Sequence, residues 1–159
     1  VASWLWLGVR LGLRVGLISG LIVGLIAAVM GSLFTDSLTD LSAFSVNCFW
    51  LICIGLPLVY YLTFFSTPAL IALRDEVHDN LYVITAGAWL PAFLISIVVF
   101  MMPVVMMPLI LGWGVTVKNS GNWYDQVYTL LEGRFGVVAI ITLIEYAGAA
   151  YLVRLRYRP

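Results

Sequence analysis

Every fourth residue from position 8 to position 32 is small: Gly8, Gly12, Gly16, Gly20, Gly24, Ala28 and Ser32. The residues between them are mostly Leu, Ile and Val. Positions four apart share one side of a helix, so this stretch reads as a helix with a groove that holds no side chains. In water each glycine destabilises a helix by roughly 0.5–1 kcal/mol relative to alanine. In lipid the same pattern, that of a glycine zipper, lets another helix backbone come close, because packing replaces the missing hydrophobic drive. A four-residue step turns about 400°, so the groove drifts about 40° per step. A straight partner crossing near −40° then uses only about two or three steps. Within the chain the best partner is the small-residue run Gly148, Ala149 and Ala150. The groove is therefore expected to pack on the last span at one level and to leave another level free for an outside helix.

Composition fixes the class. Soluble domains carry about 25% charged and about 45–50% apolar residues. This chain of 159 residues is 10% charged and 63% hydrophobic, with a mean hydropathy of +1.07. That excludes a soluble globular domain and predicts an all-α integral membrane protein. Eight basic and eight acidic residues cancel, so the chain has no polyanion-binding character and no nucleic-acid partner is expected. Two cysteines and one histidine leave little for metal or redox chemistry. No cofactor is predicted, and bound lipid is the one non-protein component the composition suits. The chain starts at Val1, read as a fragment, a processed product or a non-Met start, and its first apolar segment is too long for a signal peptide.

Four transmembrane helices are predicted, over about 15–34, 43–65, 84–109 and 135–153, forming one membrane domain over 1–159. The twenty residues of the first span without a charge cover about 30 Å, one hydrocarbon thickness. Trp4, Trp6, Arg10 and Arg14 precede it and read as an interfacial prelude. Pro57 predicts a kink in the second span. Thr67 and Pro68 open a short interfacial helix between spans two and three, within 66–80. The charge-free run 81–117 contains Pro91, Pro103 and Pro108. It reads as one long, kinked span, with a re-entrant turn around MMPVVMMP as the alternative.

Four spans put both ends on one side. That side holds Arg10, Arg14, Arg74, Arg154, Arg156 and Arg158, and the other holds Lys118 and Arg134. The imbalance predicts that both termini are cytoplasmic.

Glu145 is the strongest candidate site. A carboxylate near the middle of a span is costly and marks a functional position by default. It suits a proton or cation relay, or a structural carboxylate paired with another helix. Arg14 is its obvious internal partner, but span boundaries place the two roughly 13 Å apart in depth. Arg10, Arg14, Arg154, Arg156 and Arg158 read as lipid-headgroup contacts or topology anchors. Met101, Met102, Met106 and Met107 offer soft ligands, with Cys48 and Cys53 beyond them, but methionine also fills gaps beside prolines. No metal site is expected. His78 lies among Asp75, Glu76 and Asp79 and reads as a solvated face. Nucleotide-binding and hydrolase patterns are absent from the sequence.

The chain therefore reads as a non-catalytic multi-span subunit that packs within a larger membrane complex through its glycine-rich helix. Membrane lipids and other transmembrane subunits, identical or different, are its expected partners. Two alternatives stand beside this: a small ion-coupled transporter or channel subunit using Glu145, and the membrane anchor of a larger signalling or enzymatic protein.

Overall fold

A computed structural model describes the backbone of residues 1–34, 38–110 and 123–157. Within these it describes the side chains of 1–30, 47–103, 106 and 136–157. Arg158, Lys118 and the side chains of Met107 and Arg134 lie outside the described residues. The elements are α1 (Ala2–Phe34), α2 (Leu38–Ser66), α3 (Pro68–Ala72), α4 (Arg74–Ile110) and α5 (Trp123–Arg156). Helices are what such runs must form in lipid, where each backbone N–H and C=O has to be satisfied within its own segment. The four long helices are apolar enough to cross a membrane, over Ala2–Met30, Asn47–Ser66, Arg74–Pro103 and Gly136–Arg156. The short helix α3 stands between the second and third, so the expected architecture is the observed one.

The boundaries differ from the sequence reading in instructive ways. The aromatic and arginine prelude is not a separate segment: α1 is one helix of 33 residues. Nothing in 1–14 breaks a helix, and Gly8 and Gly12 already belong to the packed groove. The helix between spans two and three is only five residues long. Pro68 sits in its first turn, where a missing N–H costs nothing. Leu73, at φ −100° and ψ 26°, then breaks the helix, and Arg74 starts α4. The segment MMPVVMMP is helical, and α4 runs through Pro91, Pro103 and Pro108 to Ile110. Neighbouring helices make such prolines tolerable within a membrane span.

Side-chain contacts fix the direction of each helix. Gly8, Gly12, Gly16, Gly20 and Gly24 meet Ile84, Ala88, Ala92, Ser96 and Phe100 in turn, so α1 and α4 run parallel in constant register. Tyr60 meets Thr85 and Phe49 meets Phe100, so α2 runs antiparallel to α4. Thr142 lies on Cys53, Tyr146 on Tyr60 and Tyr157 on Phe64, so α5 runs parallel to α2. Around the bundle the order is α1, α2, α5, α4, with α1 diagonal to α5. The start of α1 and the end of α5 therefore lie at the same end of the bundle.

The glycine groove does not pack on the last span. Its partner along the whole described length is α4. A Cβ on Gly20 would stand 2.7 Å from the Ser96 carbonyl oxygen, and Cβ atoms on Gly8, Gly12 and Gly16 would collide with backbone of Ile84, Ala88 and Ala92. Contact is reciprocal, since a Cβ on Gly87 would be 2.7 Å from the Leu5 carbonyl oxygen. The expectation of two or three steps assumed a straight partner. α4 carries its own four-residue series, Ile84, Ala88, Ala92, Ser96 and Phe100. Two stripes of equal period drift together, so helices that wrap around each other stay in register. Gly148 is exposed, with nothing within 4 Å of an added Cβ.

The bundle is turned outward as a membrane protein should be. Leu17, Ile18, Leu21, Ile22, Leu94, Val98, Ile140 and Ile144 are exposed, while Tyr60, Tyr146, Thr85 and Thr142 are buried. Lipid gives apolar surface no reason to hide, so packing and interhelical contacts select what goes inside.

Candidate intramembrane charge site

The hydroxyls inside the bundle are mostly held by their own helices. Thr85 donates to Leu81 O at 2.8 Å, Thr142 to Val138 O at 2.6 Å, Ser96 to Phe93 O at 2.8 Å and Thr63 to Val59 O at 2.7 Å. This back-bonding satisfies a hydroxyl without a second helix. Among the described residues, α2 is tied to its neighbours by buried side-chain bonds: the Tyr60 and Thr85 hydroxyls are 2.7 Å apart, and the Tyr157 hydroxyl donates to Phe64 O at 3.0 Å. Because the Thr85 hydrogen goes to Leu81 O, the Tyr60 hydroxyl is the donor. Cys53 Sγ lies 3.6 Å from Thr142 Oγ1, and both cysteines are buried and free. Met101 is half-buried, while Met102 and Met106 are exposed. Among the described residues no three His, Cys, Asp or Glu side chains cluster as a metal site would require.

Glu145 sits near the middle of the Gly136–Arg156 span. It follows Thr142 by three residues, so it leans toward the side of α5 that meets α2. It is close enough to Cys53 to act on it electrostatically. The residue is half-buried, and its Oε2 is fully buried without a hydrogen-bond partner among the described residues. The Tyr146 hydroxyl beside it is also buried and unpartnered.

Arg14 is the matching oddity. It lies near the middle of the Ala2–Met30 span, on the exposed side of α1 with Leu13, Leu17 and Ile18. The other described arginines each rest on an aromatic ring. Arg10 lies 5.6 Å from the Trp6 ring, Arg74 6.0 Å from Tyr157, Arg154 5.5 Å from Tyr82 and Arg156 4.7 Å from Phe65. Arg154 also donates to the Tyr82 hydroxyl at 3.2 Å. Such pairs contribute about 0.5–1 kcal/mol each where exposed. They gather at one end of the bundle, where α1 and α4 begin and α2 and α5 end. Arg14 has no such contact among the described residues.

The register of the helices brings Arg14 and Glu145 to one depth. Ser19 stands against Gly55 across the antiparallel pair α1 and α2. Five residues back on α1 is Arg14, and five forward on α2 is Tyr60. The Tyr60 ring lies 4.8 Å from that of Tyr146, the neighbour of Glu145. The two charges are thus level to within about one helical turn, ~5 Å, where span boundaries had suggested a larger offset. They still do not meet, because α1 and α5 are diagonal in the bundle. The intrachain pair considered from sequence is excluded by position around the bundle, not by depth. Sequence alone pointed to Glu145. It grouped Arg14 with the interfacial arginines, and what separates them, the registers of α1 on α2 and of α2 on α5, exists only in the folded bundle.

His78 is half-buried at the start of α4, with Nδ1 buried and without a hydrogen-bond partner among the described residues. Asp75, Glu76 and Asp79 around it are exposed. Compared with known protein families, curated proteins and solved structures, the chain finds no match in any of the three.

Proposed function

We propose that this four-span membrane protein is a non-catalytic assembly subunit, joined to neighbouring transmembrane helices through charges inside the membrane. One observation carries the reading: Arg14 and Glu145, of opposite sign and level in depth, each lack a partner among the described residues. Charges inside a membrane are rare and almost always paired or turned to an interior. With none among the described residues, a neighbouring polypeptide is the partner this reading assigns. The glycine groove, by contrast, is filled by α4 and offers no site for another subunit over Gly8–Gly24. Coupled transport through Glu145 has less support, because the cross-helix contacts near it, Tyr60 with Thr85 and Thr142 with Cys53, do not include its carboxylate among the described residues.

The test is the mass of the particle extracted from its membrane with its lipid shell. We expect more than one polypeptide per particle, and a smaller particle when Glu145→Gln removes the charge. A particle holding one 17.6 kDa chain would overturn the reading.

A further inference from the structure

We infer that the partner of each unpaired charge is a second copy of this chain, with Arg14 of one copy on Glu145 of the next. The inference rests on the assembly reading above and names its occupant. Three features of the fold support it. The charges are opposite in sign, so one copy supplies what the other lacks. They are level in depth, so two copies standing upright in the same bilayer bring them together without sliding. They lie on different faces of the bundle, on diagonal helices that flank α2, so they cannot cancel within a copy.

The geometry of such a contact follows. A patch on α1 meeting a different patch on α5 is a head-to-tail interface, and it closes into a ring when the rotation allows. Arg10 is not part of the contact, since its guanidinium already rests on Trp6. A guanidinium and a carboxylate paired away from water form a strong, directional contact, with two parallel N–H···O bonds where both groups lie flat.

The experiment is a charge swap on the whole chain, purified in mild detergent and weighed by light scattering with the detergent subtracted. The wild-type protein is expected to run as a multiple of one chain and to contain this polypeptide alone. Arg14→Gln and Glu145→Gln, each alone, should shift it to the single-chain mass. Arg14→Glu combined with Glu145→Arg should restore the multiple. Helix content by circular dichroism, unchanged in the single variants, separates lost assembly from lost folding. If a single variant loses helix content, disulfide capture replaces it: Arg14→Cys mixed with Glu145→Cys should give a covalent dimer, and absence of that dimer overturns the inference. A multimer that ignores the single variants, or a double variant that stays a monomer, also overturns it. A particle containing other polypeptides that leave when Arg14 is neutralised overturns this inference while sustaining the assembly reading. A wild-type monomer overturns both.

Discussion

Tyr60 shows what a single side chain can decide in this bundle. It is fully buried, its ring lies between Phe64 and Tyr146, and its hydroxyl donates to Thr85 across two helices. Removing the donor and removing the acceptor are unequal changes. Tyr60→Phe leaves Thr85 still bonded to Leu81 O and costs about 0.6 kcal/mol, at most ~1.7. Thr85→Val strands a buried phenol, which costs about 1–3 kcal/mol. Unfolding titrations in mixed micelles should therefore rank Thr85→Val as the more damaging change, and the reverse order would show that the bond does not hold α2 to α4. Neither residue stands out in the sequence, where Tyr60 is one aromatic in a run at the end of a span and Thr85 one hydroxyl in an apolar stretch. Glu145 does stand out, because a lone carboxylate in such a run needs no structure to be noticed. Its surroundings were not legible, because they depend on which helices neighbour α5.

At the scale of the element, the glycines of α1 are not equivalent. Gly12 and Gly16 face backbone of Ala88 and Ala92, which has nowhere to go. Gly24 faces the Pro103 ring at 3.0 Å, and no backbone lies nearer than 3.2 Å. Substitution by alanine should cost most at Gly12 and Gly16, about 1–3 kcal/mol for overpacking, and least at Gly24. Gly148→Ala should be neutral or stabilising by up to ~1 kcal/mol, since the added methyl meets nothing and alanine is the better helix former. Thermal unfolding followed by circular dichroism checks the order. Equal effects at Gly12 and Gly148 would mean that α1 does not seat on α4. The period of the groove was plain from sequence. Its partner was missed because the stripe on α4 includes Ile84 and Phe100 at its ends and so does not read as a run of small residues.

For the whole molecule, the parallel and antiparallel pairings place the start of α1 and the end of α5 together, along with Arg10, Arg74, Arg154 and Arg156 and the rings they rest on. Positive charge beside spans is retained on the cytoplasmic side. Reporter fusions at the two termini should both report the cytoplasm. Reporters on opposite sides would contradict the four-span bundle, and both on the outer side would contradict the charge rule while leaving the bundle standing.

The sequence by itself determined the solvent, the number of spans and the helical class. Those follow from run lengths and from the need to satisfy every backbone group locally in lipid, and neither depends on neighbours. It also marked one face of α1 as open to close approach, through small residues at a four-residue spacing. Only the tertiary structure decided what approaches. In lipid the apolar faces of all four spans are nearly interchangeable, so pairing depends on shape and register between helices far apart in the chain. That register closed the glycine groove with α4, brought Arg14 level with Glu145, and set them on diagonal helices without a partner among the described residues.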